Sequence, residues 1–566
     1  MEAMPAEAAP LRIAIPILLA ASAALAGDVV VQKRFLHLPV ALAGELATFQ
    51  LLDGGNVSLY FRMPLATAKG DALYWTSIDW GFLKAKTLEA RVLPPHEAID
   101  IGALYEQSDG FRKPRGLYQE PYRPQFHFTA MTGWINDPNG LVYFDGEWRL
   151  FYQHDPWSTR GANKSWGRAA SRDLIHWTDY ADALLPDRLG AIYSGSAVID
   201  HGKTSGFQEG ALPPMVVFYT SAGYQSPENL PFTQSLAYSN DRGRTLVKYA
   251  GNPVIGHIED RNRDPKVFWH QPSGKWVMAL YLTRGKFQLL DSKNLREWQR
   301  MSDVEFPDGH ECPELFELPV RGGPGETRWV MWEAGGRHRI GRFDGRRFLP
   351  ETGVLPSEWA QNSYAAQTWN DAPDGRRVLI SWMRSRAAEG IYPGMPFDQQ
   401  MSFPRELSLR PTEEGLRLFQ WPVREIEKLY AKRHDFSGRK AAPGANLLSG
   451  IRGELFDLEG RLELGAARSV KLDVRGVPIV YGADGKLSCV GNSVVVGSAG
   501  SPLELRVVID RTSMEIFAAG GRYVMSICFR PTRSGPPLIL TTEGGAGVAR
   551  LLDVRELRPA LPRPGV

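Results

Sequence analysis

The feature that most constrains the fold is a recurrence of strand–turn–strand units with almost no helical periodicity between them. Leu141-Val142-Tyr143-Phe144 and Trp148-Arg149-Leu150-Phe151-Tyr152 flank Asp145-Gly146. Asp-Gly between apolar runs signals a hairpin, because a two-residue turn of this kind needs φ > 0 at both positions. Lys266-Val267-Phe268-Trp269 and Lys275-Trp276-Val277-Met278-Ala279-Leu280 flank Gln271-Pro272-Ser273-Gly274 in the same way. A polar phrase also returns: Ser171-Arg172-Asp173-Leu174-Ile175-His176-Trp177 is echoed by Ser292-Lys293-Asn294-Leu295-Arg296-Glu297-Trp298, and its start by Ser239-Asn240-Asp241-Arg242-Gly243. Repeats of about 40–50 residues carrying about four strands each read as propeller blades, and the roughly 300 residues from Gln125 hold five.

Other units flank this array. Ala47 to Leu52 and Val57 to Phe61 alternate on either side of Asp53-Gly54-Gly55, which predicts a hairpin in a small amino-terminal β domain over 27–115. A Gly-, Pro- and charge-rich linker runs from Ser108 to Pro124. After a helical connector expected at Pro422 to Tyr430, alternation resumes in Leu503 to Asp510, Met514 to Phe517 and Tyr523 to Ile527, the pattern of a β-sandwich. The expectation is an all-β chain: a five-bladed β-propeller at 116–421 followed by a C-terminal β-sandwich at 422–566. The apolar run Ile13 to Ala26 is too short to span a hydrocarbon core of about 30 Å. Preceded by Arg12 and ending in Ala24-Leu25-Ala26, it reads as a signal peptide over 1–26, and so as a secreted or periplasmic protein. A short buried amino-terminal element is the alternative.

The charge is nearly balanced, +3 overall, with no block of either sign, so neither nucleic acid nor an anionic membrane is an expected partner. Cys312, Cys489 and Cys528 make no disulfide framework and have no metal-ligand spacing; no metal and no cofactor is expected. Oligomeric state is left open.

Three acids stand in unusual local settings. In Trp134-Ile135-Asn136-Asp137-Pro138-Asn139-Gly140, the proline holds Asp137 extended and Asn139-Gly140 predicts a turn after it, which would fix a carboxylate at a strand end. Arg261-Asn262-Arg263-Asp264-Pro265 repeats the device, and the neighbouring Arg263 favours an ionised Asp264 suited to accepting hydrogen bonds from sugar hydroxyls. In His310-Glu311-Cys312-Pro313-Glu314, burial of Glu311 is expected to raise its pKa as a general acid requires. Taken singly, a turn, a surface ion pair and a structural acid are the plainer readings.

Together these segments resemble glycoside hydrolase family 32, the β-fructosidases that include invertases, inulinases and levanases. The resemblance is carried, in order, by Trp134 to Gly140, Phe151-Tyr152-Gln153, Trp166-Gly167, Tyr193-Ser194-Gly195-Ser196, Arg263-Asp264-Pro265, Glu311-Cys312-Pro313, Tyr364-Ala365-Ala366-Gln367, Phe403 to Leu407 and Ile509 to Phe517. It implies a retaining glycoside hydrolase in which Asp137 is the nucleophile, Glu311 the acid/base and Asp264 the carboxylate that holds fructose hydroxyls. Asn136, Gln153, Trp166, Tyr193, Ser194 and Arg263 match positions around the fructose subsite. The amino-terminal module resembles levanase-type members, which implies release of fructose from β-fructans, levan ahead of inulin and sucrose, exo or endo. A fructosyltransferase acting on sucrose and a non-catalytic fructan-binding protein are the alternatives.

Three departures bear on the pocket. His154-Asp155 stands where the family often has an aromatic residue and Asn, and Gly161 replaces a common Trp, with Trp157 expected to rebuild the wall. His310 stands where an aromatic is common and either tunes Glu311 or packs.

Overall fold

A computed structural model describes residues 24–561 except 67, 94–100, 227, 386–391 and 533. Residues 1–23, most of the expected signal peptide, lie outside the described residues; Ala24–Val30 forms the first strand, antiparallel to Thr87–Leu93.

The fold is all-β, with a five-bladed propeller followed by a sandwich. The innermost strands of the blades are Gly133–Phe144, Ala191–Ile199, Arg263–His270, Glu314–Pro319 and Ser363–Thr368, each followed by antiparallel partners, and Phe397–Asp398 adds to the first in parallel. Asp145 and Gly146 both have positive φ, so the expected hairpin turn forms between the first two strands. The repeated polar phrase is a turn between the outer strands of a blade. Asp173 Oδ1 accepts the N–H groups of Ile175 and His176, Asn294 Oδ1 those of Arg296 and Glu297, and the following Trp177 and Trp298 each donate to a leucine carbonyl. The phrase recurs because the same turn geometry recurs.

Ring closure is built from buried polar groups at the axis. Asn370 Nδ2 donates to the carbonyls of Ala197 at 2.8 Å and Val267 at 2.9 Å. Beside it Lys266 pairs with Glu314 at 2.8 Å and donates to the Thr368 carbonyl at 2.8 Å. A buried ion pair of this kind adds little net stability but penalises any arrangement that separates its members.

The amino-terminal module has a four-stranded sheet, which includes Ala47–Asp53 and Asn56–Met63 around the expected Gly54-Gly55 turn, and a three-stranded sheet. Phe49, Phe61, Leu88 and Trp80 fill the space between them. The carboxy-terminal sandwich packs two sheets over Val507, Ile516, Leu472 and Ile479. The helical connector expected at 422–430 is only a 3-10 turn, Arg424–Leu429, because strands Gly415–Pro422 and Tyr430–Asp435 leave no room for a longer helix.

The sandwich is tied to the propeller by a buried charge network. Asp510 accepts the backbone N–H groups of Gln125, Phe126 and His127, and His127 donates from Nδ1 to Asp510 and from Nε2 to Glu515, both at 2.9 Å. Arg405 bonds Glu515 at 2.7 Å on the other side. Burial opposes charge on His127, but the two carboxylates outweigh it and push its pKa up to about 9.

Candidate active site

A cavity of about 220 Å³ opens where the innermost strands begin, lined by Trp134, Asn136, Asp137, Gln153, Lys164, Tyr193, Ser194, Arg263, Asp264, Glu311, Tyr364 and Trp382. A larger cavity, about 630 Å³, lies where the same strands end, and includes Phe268, Trp269, Glu317 and Asp371. Size does not mark the chemical site here; the convergence of three acids with an arginine does.

Asp137 and Asp264 are each aimed by an irregularity in their strand, whereas Glu311 stands in the bend just ahead of strand Glu314–Pro319. Register shifts fall between Ile135 and Pro138, Ile192 and Gly195, Arg263 and Lys266, and Tyr364 and Gln367, so four of the five inner strands bulge beside a lining residue. A bulge re-aims a side chain that regular pleating would send elsewhere. This corrects two expectations. Asp137 is inside strand Gly133–Phe144 rather than at its end, and Asn139-Gly140 belongs to a second register shift in that strand rather than to a turn. Asn136 and Asp137 drop out of the ladder without ending the strand, and pairing with Glu147–Asp155 resumes at Pro138, opposite Tyr152.

Asp137 Oδ2 accepts from the Ser194 hydroxyl at 2.7 Å and Oδ1 from Asn136 Nδ2 at 3.1 Å. Burial and the charge of Glu311 raise its pKa above the usual carboxylate range, while the Ser194 and Asn136 bonds and the nearby Lys164 pull it back. Asp264 has φ +63° and its Oδ2 accepts the Cys312 N–H at 3.2 Å; the Cys312 thiol lies 3.5 Å from the same oxygen and 3.8 Å from Asp137 Oδ2. Arg263 favours the ionised form of Asp264, and burial opposes it. Burial first, with the charges of Glu311 and Asp137, pushes its carboxyl up to about 7 against the pull of Arg263, whose Nε is 3.6 Å away.

Glu311 departs from the expected buried acid. Its side chain is 27% exposed, and both oxygens are engaged: Oε2 accepts from Arg263 through Nε at 3.0 Å and through Nη2, and Oε1 accepts the Tyr364 hydroxyl at 2.9 Å. Arg263 also stands over the Tyr281 ring at 4.6 Å.

Of the subsite residues expected from the sequence, Asn136, Gln153, Tyr193, Ser194 and Arg263 line the cavity. Gln153 Nε2 is held by the Ile192 carbonyl at 3.0 Å, while its buried Oε1 has no partner among the described residues. Trp166 stands behind the wall, fully buried, and donates to the Tyr193 carbonyl at 3.0 Å. Trp157 does not rebuild the wall: it is fully buried and stacked on Phe61 of the amino-terminal module at 4.9 Å. The ring of His310 is outside the lining, and its backbone N–H donates to Glu333. Lys164 and Trp382 were not expected. Lys164 reads in the sequence as a solvated loop residue, and Trp382 as part of an apolar strand. Among the described residues no group of His, Cys, Asp and Glu is arranged to hold a metal ion, and no helix is long and apolar enough to cross a membrane.

The Glycosyl hydrolases family 32 N-terminal domain matches residues 127–422, and the family's C-terminal domain matches 425–555. The chain belongs to glycosyl hydrolase family 32. A levanase of Bacillus subtilis (strain 168) is 36% identical to this family member over 489 residues, 78% of this chain and 71% of that one. An extracellular exo-inulinase of Aspergillus niger is 29% identical over 81% of this chain and 98% of its own. The crystal structure of exo-inulinase from Aspergillus awamori superposes with a TM-score of 0.71 at 26% identity, covering 78% of this chain and all of that one. The family 32 protein is therefore a glycoside hydrolase of the β-fructosidase group.

Proposed function

We propose that the chain releases fructose from β-fructans with net retention, with levan preferred to inulin and sucrose, and that it is exported to do so. The observation that carries this reading is the convergence of Asp137, Asp264 and Glu311 on one small cavity, with a positioning partner on each. Asp137 is the nucleophile: Ser194 and Asn136 fix its two oxygens, leaving a lone pair to attack the anomeric carbon and form a covalent fructosyl-enzyme. Glu311 first gives a proton to the departing oxygen and then takes one from water, the exchange of roles that double displacement requires. Asp264 and Arg263 hold the fructose hydroxyls, and those bonds strengthen as positive charge builds on the ring. Gln153, through its unpartnered Oε1, accepts from one more hydroxyl.

The levanase relative and the levanase-like amino-terminal module support levan as first substrate, and the exo-inulinase relatives support an exo mode. Division of the chain at 27–115, 116–421 and 422–566 belongs to the same reading. Incubation of the purified chain with levan, inulin and sucrose, with fructose followed over time, tests it. Release in that rank order is expected; no fructose from any of them overturns the function, and longer oligosaccharides from sucrose would make it a transferase.

A further inference from the structure

The densest polar construction beside the pocket joins it to the amino-terminal module. Arg62 in strand Asn56–Met63 donates its backbone N–H to Asn163 Oδ1 at 2.8 Å, and Asn163 Nδ2 donates back to the Arg62 carbonyl at 2.7 Å. A side-chain amide thus pairs with a strand edge as another backbone would. Arg62 Nη2 adds a bond to the Ala162 carbonyl at 2.7 Å, Arg160 Nη1 reaches back to the Gly44 carbonyl at 2.9 Å, and the Tyr74 hydroxyl donates to the Pro156 carbonyl at 3.2 Å. Together with Trp157 stacked on Phe61, these bonds hold the connection between strands Glu147–Asp155 and Ser165–Ser171 from the module's side.

Buried Asp155 organises the same segment from within. Its oxygens accept the N–H groups of Trp157, Ser158 and Asn163, the Ser158 hydroxyl and Asn163 Nδ2. So Asn163 is gripped by the module on one side and by Asp155 on the other, and the next residue is Lys164 in the pocket wall. Lys164 Nζ donates to the Gly161 carbonyl at 3.0 Å. An ammonium has three donors, and the other two have no protein acceptor within hydrogen-bonding distance among the described residues. Gly161 stands where the family's common Trp is absent, with its own Cβ position only 2.9 Å from Trp134 Nε1. Beside that indole, which itself lines the cavity, Lys164 adds a polar group to the wall.

We infer that the amino-terminal module is a built part of the active site: through the Arg62–Asn163 pairing it fixes Lys164 in the pocket wall, where Lys164 donates to a hydroxyl of the bound sugar. The inference rests on the pocket being the fructosyl site proposed above. A lysine on a long flexible stem loses conformational freedom when it binds a neutral hydroxyl; a loop fixed beforehand removes part of that loss. Burial lowers the pKa of Lys164 while Asp155 and Asp137 hold it up, and its ammonium in turn favours the charged form of Asp137, which shares the cavity.

The test uses the full chain and three substitutions: Lys164→Met, Lys164→Arg and Asn163→Ala. For Lys164→Met, KM for a short fructan oligosaccharide is expected to rise about tenfold, the worth of one good hydrogen bond to a charged donor, with a smaller change in kcat. Lys164→Arg should regain part of the affinity, and Asn163→Ala should shift KM in the same direction. A merely structural role would lower the melting temperature and leave KM unmoved. An unchanged KM in Lys164→Met overturns the role of the lysine; a raised KM there with an unchanged KM in Asn163→Ala overturns the role of the module. Should Asn163→Ala fail to fold, Asn163→Ser, which is too short to keep the amide bonds to both backbone groups of Arg62, replaces it under the same criteria. Calorimetric binding of a fructan trisaccharide to the Glu311→Gln chain, with and without Lys164→Met, gives the same comparison without turnover. About tenfold weaker binding supports the inference and equal binding overturns it, while no binding by either chain counts against the substrate reading itself.

Discussion

Arg263 grips Glu311 by two nitrogens on a single carboxylate oxygen, Nε at 3.0 Å and Nη2 beside it, leaving Oε1 to the Tyr364 hydroxyl at 2.9 Å. The position of Glu311, the proposed acid/base, is therefore set by a planar fork and a phenol, not by burial. A fork cannot be reproduced by an ammonium. Arg263→Lys is expected to keep the charge and lose the alignment, lowering kcat more than it raises KM. Glu311→Gln, which keeps shape and removes the proton donor, is expected to cost about 10²–10⁴-fold in kcat. Steady-state kinetics on sucrose check both.

As the proposed nucleophile Asp137 must be ionised to attack, and its pKa lies above the usual range because burial and Glu311 oppose the charge. The acid limb of kcat/KM is therefore expected above the ordinary carboxylate pKa. Ser194→Ala removes a hydrogen bond that favours the charged form, so the limb should move further up in pH. A pH–rate profile in which the limb moves down, or not at all, contradicts this account of Asp137.

The junction of propeller and sandwich has its own pH dependence. His127 is raised to about 9 from an ordinary value of 6.5, so its contribution to stability is complete below about 6.5 and is lost as pH rises through 9. Asp510 and Glu515 are lowered, so their contribution is present above the ordinary carboxylate range and is lost as pH falls below it. Thermal unfolding followed from pH 5 to 10 should show stability falling across the upper window. His127→Gln should flatten that fall and cost about 3–5 kcal/mol at pH 6, the penalty for breaking a buried charge pair.

Gly161 is the position where a small change should reach the chemistry without touching a reacting group. It has φ +67°, and a Cβ there would meet the Trp134 indole, which donates to Asn136 at 3.2 Å, the residue that holds Asp137. Gly161→Ala is expected to cost about 1–2 kcal/mol of stability from the left-handed backbone alone. It should also lower kcat/KM, whereas Gly146→Ala, at a turn with open space around it, should leave kcat/KM unchanged.

Local features were the legible ones. Gly54-Gly55 and Asp145-Gly146 declared their hairpins because φ > 0 is a property of the residues themselves, and the Ser171 and Ser292 phrases declared a repeat because each builds its turn from its own side chains. The convergence of Asp137, Asp264 and Glu311 was legible only through family resemblance, since nothing in their spacing brings them together. What escaped was set by tertiary neighbours. The bulge that keeps Asp137 inside its strand depends on the partner strand, Trp157 was claimed by Phe61 rather than by the pocket, and Glu311 found Arg263 instead of an apolar site. Lys164 gave no signal, because its place in the wall is decided by a strand about a hundred residues earlier.

The central claim is that Asp137 and Glu311 act as nucleophile and acid/base in a retaining double displacement. Trapping the transferred fructosyl group with methanol as acceptor, and reading its anomeric configuration by NMR, tests it directly, because the methyl glycoside cannot mutarotate. The account predicts methyl β-fructofuranoside, formed by the unsubstituted chain and not by Asp137→Asn. Methyl α-fructofuranoside, or an undiminished β product from Asp137→Asn, would contradict it.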